Sequence, residues 1–140
     1  MARSISASIR NQVIRRAKNC CEYCQLSQQG QEATFHIDHI LPVSAGGETI
    51  VDNLALACVS CSLRKAARQT AIDPETREDT PLFHPRKHRW KDHFQWLGFR
   101  VIGITPIGRA TVNTLQINRS LIISIREEEA KLGRHPNSKE

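Results

Sequence analysis

The sequence predicts a fold of the α+β class, in which helices and short strands are segregated along the chain. Three patterns predict it. Apolar residues recur at helical spacing over residues 6–18 and 111–126, and side chains alternate between apolar and polar over residues 34–40. Two Cys-x-x-Cys pairs lie on either side of the alternating segment. The expected architecture is therefore a small core held by two cysteine knuckles, with a helix before it and an α/β extension after it.

The length of 140 residues fits a single domain over residues 1–140. Asp73-Pro74 marks a boundary within it, because the chain then becomes rich in Pro, His and Arg. We expect a core at about residues 20–70, an extension at about 73–132 and a frayed polar tail at 133–140.

Charge and hydropathy restrict the compartment and the partners. Lys and Arg number 20 against 14 Asp and Glu, and the net charge of +6 favours a polyanionic partner such as nucleic acid. The segment Met1 to Ser6 lacks the apolar stretch of a signal peptide, and no apolar run approaches the ~20 residues of a membrane span. We therefore expect a cytoplasmic protein without membrane contact, as a monomer or a homodimer.

The first elements follow from the apolar pattern. A helix is expected over residues 6–18, with Ser6 or Ser8 as its cap. Residues 34–40 are expected to form a strand, with His36 and Asp38 on one face. The other face of that strand would carry Phe35, Ile37 and His39. Asp38 and His39 can converge only if the strand ends or bends there, and Pro42 favours such a break.

The remaining elements are a turn, two strands and three helical segments. A loop turning at Gly46-Gly47 leads to a strand at Leu54–Ala57. The next helix is expected at residues 62–70, with Leu63, Ala66 and Ala67 inward and Arg64, Lys65 and Arg68 outward. Trp90, Phe94 and Leu97 have the spacing of a helical core face, residues 98–104 are strand-like, and a long helix is expected over residues 111–126.

The cysteines predict a structural metal site. Of the five cysteines, four form the two Cys-x-x-Cys pairs, and Cys20 is left over. In a reducing compartment this spacing indicates metal binding rather than disulfides. Four thiolates from two knuckles suit tetrahedral Zn²⁺. The expected zinc ligands are Cys21, Cys24, Cys58 and Cys61.

Asp38 and His39 predict a reactive site between the knuckles. A neutral imidazole can accept a proton from water near pH 7, and a carboxylate can hold a hard cation such as Mg²⁺ or Mn²⁺. This pairing suits metal-assisted hydrolysis of a phosphodiester. The amide of Asn53 is suited to orient the imidazole of His39, and the alternative is that Asn53 is an ordinary loop residue.

In combination these residues resemble the HNH endonuclease family, in its cysteine-bearing subclass. The resembling core consists of Cys21-x-x-Cys24, Ile37-Asp38-His39-Ile40-x-Pro42, Gly46-Gly47, Asp52-Asn53-Leu54 and Cys58-x-x-Cys61 followed by Lys65. Later segments resemble the extension of a bacterial branch of that family: Asp73-Pro74, Leu82-Phe83-x-Pro85-Arg86, Trp90, His93-Phe94 and Gly108-Arg109-Ala110-Thr111.

The resemblance implies a ββα-metal (His-Me finger) core around one divalent cation and a DNA endonuclease activity. It implies His39 as the general base, Asn53 as the residue that orients it, and Asp38 as a metal ligand. It also implies structural Zn²⁺ on the four cysteines and a catalytic Mg²⁺ or other divalent cation. The helix after the second knuckle is expected to contact DNA through Arg64, Lys65 and Arg68.

One position departs from the family pattern. The second metal ligand is usually a His or Asn directly after the last knuckle cysteine, and this chain has Ser62 there. Two interpretations follow: Ser62 acts through a bridging water in an active enzyme, or the protein is a weakened or inactive zinc-stapled DNA-binding protein. His36, on the predicted face of Asp38, is a candidate for the missing ligand, and a surface or supporting His is the alternative.

Overall fold

The computed structural model describes residues 4–136 and divides the chain into two compact units, Met1–Ala67 and Arg68–Glu140. The described residues form five α-helices and three two-stranded antiparallel sheets, a mixed α/β architecture. The start of the N-terminal segment and residues 137–140 of the predicted tail lie outside the described residues. A single domain over residues 1–140 stays a prediction.

The first unit begins with helix α1, Ala7–Arg16. The hydroxyl of Ser6 accepts a hydrogen bond from the backbone N–H of Ile9 at 3.2 Å and so caps the helix. Val13 is fully buried on its inner face. The guanidinium of Arg16 donates to the carbonyls of Val51 and Leu54, which ties the end of α1 to the chain that enters the second strand.

A hairpin forms the centre of the first unit. Strand β1, His36–His39, pairs antiparallel with β2, Leu54–Ala57, so that His39 lies opposite Leu54. All four residues of β2 are buried. The strand β1 is shorter than the predicted 34–40 because the backbone N–H of Phe35 donates to the side chain of Gln28 instead of to a neighbouring strand.

The connection between β1 and β2 turns at Gly46 and Gly47, as predicted. Gly46 has a φ of +92°, which favours glycine. A Cβ atom on Gly47 would overlap the carbonyl oxygen of Leu41 and would lie 2.9 Å from Nδ2 of Asn53. The loop is therefore folded closely onto Asn53, and only glycine fits at position 47.

Helix α2, Val59–Lys65, differs from the predicted helix at 62–70. It begins earlier because Sγ of Cys58 accepts a hydrogen bond from the N–H of Cys61, and it ends at Ala66, which has a φ of +47°. The predicted inner face was also wrong. Leu63 is 68% exposed, whereas Lys65 is only 2% exposed. The cysteine ligands, rather than the apolar pattern, determine which side of this short helix faces inward.

The second unit begins with a hairpin that the sequence analysis missed. Strand β3, Thr70–Ile72, pairs antiparallel with β4, Asp79–Pro81. Asp73 in the connecting turn accepts hydrogen bonds from the N–H of Glu75 and the hydroxyl of Thr76. Its carboxylate also forms a two-pronged ion pair with Arg109, with N···O distances of 3.1 and 2.9 Å.

Helix α3, Trp90–His93, is a single turn that continues as strand β5, Phe94–Leu97, in place of the predicted helical face. Leu97 is therefore 64% exposed. Strand β6, Arg100–Gly103, pairs antiparallel with β5. Helix α4, Pro106–Leu115, starts at the Thr105 cap.

The predicted long helix at 111–126 is two helices, α4 and α5, the latter at Ser120–Lys131. The helix is interrupted at Gln116, whose backbone adopts the left-handed conformation. The guanidinium of Arg126 is 2% exposed and donates to the carbonyls of Phe99 and Ile117. The bond to Ile117 satisfies a carbonyl at the break, so a buried arginine makes the interruption possible.

Residues near the end of the described chain make contacts within the second unit, and the frayed tail at residues 133–140 stays a prediction. Arg134 forms an ion pair with Glu129 at 2.8 Å, and the ring of His135 lies 4.6 Å from that of Trp96. Across residues 4–136, the helices all fall short of the length and apolarity needed to cross a membrane.

Candidate functional site

The four predicted zinc ligands lie together in the first unit. The Sγ atoms of Cys21, Cys24, Cys58 and Cys61 are within 4.8 Å of one another, and all four side chains are buried. The Sγ atoms of Cys24 and Cys58 are 3.7 Å apart. A tetrahedral Zn²⁺ with Zn–S bonds of about 2.3 Å requires S···S distances of about 3.8 Å. The four side chains, named here the cysteine site, therefore fit one Zn²⁺.

The four thiols of the cysteine site shift one another's pKa values. Contact with the other sulfurs, Cys21 first, raises the pKa of the Cys24 and Cys61 thiols well above the usual value and lowers the pKa of Cys58. The backbone N–H groups of Cys24 and Cys61 donate to sulfurs at 3.4 Å, which suits thiolate ligands. Cys20 lies outside the cluster, and its Sγ contacts the carbonyl of Lys18 at 3.4 Å.

Asp38 is a buried residue of β1, and two donors hold one of its oxygens. Oδ2 accepts a hydrogen bond from the Tyr23 hydroxyl at 3.1 Å and is 3.2 Å from Nζ of Lys65. Burial raises the pKa of Asp38, an effect that Lys65 and then Tyr23 oppose. Burial, followed by the charge of Asp38, raises the pKa of Tyr23, which keeps the hydroxyl protonated as a donor.

His39 has a hydrogen-bond partner that the sequence analysis did not identify. Its Nε2 lies 2.9 Å from the hydroxyl of Thr49. If Nε2–H donates to Thr49, Nδ1 carries the free lone pair of the neutral imidazole. Thr49 lies in the loop that turns at Gly46-Gly47. Its contact with His39 was not predicted because the two residues are ten positions apart in the sequence.

The structure gives Asn53 backbone partners instead of the predicted imidazole. Its Oδ1 accepts from the N–H of Leu41 at 2.8 Å, and its Nδ2 donates to the carbonyls of Leu41 and Glu48. The side-chain amide is thus occupied in holding the loop closed. Asn53 therefore holds the segment that carries Thr49.

His36 and Ser62, the two candidates for the second ligand, are in contact. Nδ1 of His36 is 2.9 Å from Oγ of Ser62. Both residues line a cleft of about 560 Å³ together with Asp38 and His39, and we name it the Asp38 cleft. Its wall also includes Arg10, Thr34, Phe35, Ile37, Pro42, Val43, Ser44, Ala66 and Ala67.

The donors of the Asp38 cleft suit a weakly held hard cation. A carboxylate, an imidazole and a hydroxyl are compatible with Mg²⁺, which usually binds through one or two carboxylates and keeps several waters. Within residues 4–136, however, the cysteine site is the only group of three or more His, Cys, Asp or Glu side chains gathered closely enough for a metal ion. Asp38 and His36 therefore form a less complete site than the four cysteines.

The predicted DNA-contacting residues differ in their placement. Lys65 is buried against Asp38, which corrects the expectation that it faces outward. Arg64 is exposed on α2, and its Nε donates to the hydroxyl of Ser60. Arg68 is exposed and belongs to the second unit. Arg10 of α1, which was not predicted as a site residue, lines the Asp38 cleft.

Comparison with known proteins places this site in a family. No curated protein matches the chain by sequence. Residues 21–68 match the family model described as HNH endonuclease. The matched segment contains the cysteine site, β1, β2 and α2, together with Asp38, His39 and Ser62. The match to the HNH endonuclease model covers residues 21–68 of the 140-residue chain, and four cysteines arranged for one metal ion fit the zinc-bearing subclass of that family.

Proposed function

We propose that this protein is a metal-dependent DNA endonuclease that hydrolyses phosphodiester bonds in the Asp38 cleft. One observation carries the proposal: His36, Asp38, His39 and Ser62 line a single cleft within a segment that matches the HNH endonuclease family. In this proposal the hairpin β1–β2 and the helix α2 that follows it form the ββα-metal core. The cysteine site is its structural zinc centre and takes no part in the chemistry.

His39 is the general base of the proposed reaction. The Thr49 hydroxyl holds Nε2, so Nδ1 takes the proton from a water molecule in the cleft. The water oxygen attacks phosphorus, the bond from phosphorus to the 3′ oxygen breaks, and that oxygen takes a proton from solvent. The products carry 5′-phosphate and 3′-hydroxyl ends. Asp38, with His36, Ser62 or water, would hold a divalent cation, which would supply Lewis-acid stabilisation of the phosphate charge.

Basic side chains would hold the DNA backbone. Arg10 lies in the wall of the cleft. Because Lys65 already neutralises the charge of Asp38, the guanidinium of Arg10 adds net positive charge beside the reacting groups. Arg64 on α2 and Arg68 in the second unit are exposed cations that can bind further phosphates. Such binding makes affinity fall with salt, with a log–log slope of about −0.9 for each phosphate that the protein neutralises on duplex DNA.

The test is plasmid nicking with Mg²⁺, Mn²⁺, Ni²⁺ or Zn²⁺ by the wild type, His39→Ala and Ser62→Asn. Nicking by the wild type should fall by about 10²–10⁴-fold in His39→Ala, as expected for loss of a general base. Ser62→Asn, which supplies the ligand that is usual in the family, should lower the metal concentration needed. Folded, zinc-loaded protein that cuts DNA in none of these forms would contradict the proposal.

A second candidate function is DNA binding without cleavage. It is favoured by the incomplete ligand set of the Asp38 cleft and by the ammonium of Lys65 beside the carboxylate of Asp38. Under this hypothesis the wild type binds DNA in a salt-dependent manner and does not nick it, whereas Ser62→Asn gains nicking. The same plasmid assay therefore separates the two functions.

A further inference from the structure

Two hydrogen-bond donors meet on one oxygen of Asp38. One lies within the first cysteine knuckle, and the other lies on the helix that begins at the second knuckle. Tyr23 lies inside the first knuckle, between Cys21 and Cys24, and is fully buried. Its hydroxyl donates to Oδ2 of Asp38 at 3.1 Å. Its backbone lies within the knuckle, and the surrounding protein encloses its ring completely. The first knuckle therefore determines the position of this hydroxyl.

The second donor comes from the helix that the second knuckle starts. Cys58 caps α2, Cys61 is its buried residue in the cysteine site, and Lys65 follows one helical turn later on the same face. Nζ of Lys65 lies 3.2 Å from Oδ2 of Asp38 and 3.2 Å from the carbonyl oxygen of His39. Lys65 thereby joins both residues of the Asp-His pair to the cysteine site.

We propose that Tyr23 is a positioning residue for the cation of the Asp38 cleft, acting together with Lys65 on the same carboxylate oxygen. Both donors occupy Oδ2, so Oδ1 is the oxygen that remains for a cation in the cleft. The structural zinc thus orients the carboxylate that holds the second metal, although the two sites share no ligand. This inference rests on the proposed function.

The variant Tyr23→Phe isolates this contribution, because it removes the hydroxyl and keeps the buried ring. Hydrogen bonds that orient a metal ligand typically contribute about 10–100-fold to metal affinity. Thr111→Val is the matched control: it also removes a fully buried hydroxyl, one that accepts from the N–H of Phe83 in the second unit. Asp38→Asn serves as the reference for loss of the ligand itself.

Mn²⁺ binding to the zinc-loaded full chain is measured by the electron paramagnetic resonance signal of free Mn²⁺. Zinc content and melting temperature are recorded for each variant. We expect the Mn²⁺ dissociation constant to rise by about 10-fold or more in Tyr23→Phe at full zinc occupancy. In Thr111→Val it should equal that of the wild type, even if the melting temperature falls.

The outcomes separate this inference from the proposed function. If the wild type binds Mn²⁺, Asp38→Asn does not, and Tyr23→Phe binds as the wild type does, the positioning role is wrong and the proposed metal site stands. Equal losses in Tyr23→Phe and Thr111→Val would also overturn it, since they would reflect stability alone. A wild type that binds no Mn²⁺, or binds it without Asp38, overturns the proposed function and this inference with it.

Discussion

The two units stabilise a small core by different means. The first unit gathers four buried cysteines suited to one metal ion, and the same unit holds the cleft with Asp38 and His39. The second unit relies on arginines: Arg109 pairs with Asp73, and buried Arg126 closes the break between α4 and α5. Within residues 68–136 no comparable cluster of metal ligands occurs. The unit whose cysteines could hold a metal ion is thus also the unit that carries the proposed chemistry.

Aromatic residues make the contrast measurable. Both tryptophans of the chain, Trp90 and Trp96, belong to the second unit. The single tyrosine of the chain, Tyr23, belongs to the first unit. Tryptophan emission therefore reports on the second unit, and the near-ultraviolet signal of Tyr23 together with zinc content reports on the first.

Removal of zinc should have the largest effect. Zinc in knuckle sites contributes about 10–16 kcal/mol in apparent free energy, against a total stability of ~5–15 kcal/mol for a typical domain. We expect a strong chelator or Cys58→Ser to unfold the first unit while tryptophan emission is retained. Cys20→Ala is the control, because Cys20 lies outside the cysteine site and its loss should leave zinc content unchanged. A chelated protein with unchanged circular dichroism would contradict this difference between the units.

Loss of the buried ammonium should have the next largest effect. Lys65→Met leaves the carboxylate of Asp38 buried without its cation, which typically lowers the free energy of unfolding by about 3–5 kcal/mol. Urea denaturation of the zinc-loaded protein measures it. Arg64→Met, on the exposed face of the same helix, should change stability by less than about 0.5 kcal/mol. Similar stabilities of the two variants would show that the contact between Lys65 and Asp38 does not stabilise the fold.

Thr49→Val and Asn53→Ala test which residue orients His39. Thr49 contacts the imidazole, so its loss should lower kcat by about 10-fold, less than the about 10²–10⁴-fold expected for a lost general base. Asn53→Ala opens the loop at Leu41 and Glu48 and should lower the melting temperature more than Thr49→Val does. Steady-state nicking rates and thermal melts of the two variants give the comparison. The reverse pattern would restore the direct role predicted for Asn53.

Acid should weaken the second unit in a narrow range of pH. The hydrogen bonds from Arg109 hold the pKa of Asp73 well below its usual range. Because the pKa of an unfolded Asp is about 3.9, this carboxylate stabilises the folded unit above that pH and loses its contribution as the pH falls toward the lower folded-state pKa. Tryptophan emission during an acid titration follows it. Asp73→Asn should be less stable at neutral pH and should flatten the pH dependence below about pH 4.

Sequence patterns predicted most of the first unit because its elements depend on short-range features. The cap of α1, the strand at Leu54–Ala57 and the turn at Gly46-Gly47 were confirmed. The family of residues 21–68 was confirmed as well. In the second unit the hairpin β3–β4 was missed, since each of its strands has only three residues.

Several incorrect predictions of secondary structure and of helix orientation concern segments in which a polar side chain is buried. Apolar spacing assigned Leu63 to the inside of α2 and Lys65 to the outside, and the structure reverses both. The same spacing predicted one helix where Arg126 supports two. Hydrophobic periodicity carries no information about buried ion pairs, because their stability depends on a partner that is distant in sequence.

By itself the sequence determined the ligands of the cysteine site and the identity of the Asp-His pair, because both depend on residue type and spacing along a few residues. Only the tertiary structure decided what surrounds that pair: Tyr23 and Lys65 on one oxygen of Asp38, Thr49 on His39, and His36 against Ser62. The physical reason is distance along the chain. These contacts join segments that the hairpin and the two knuckles bring together, and their polar partners have no periodic pattern to mark them.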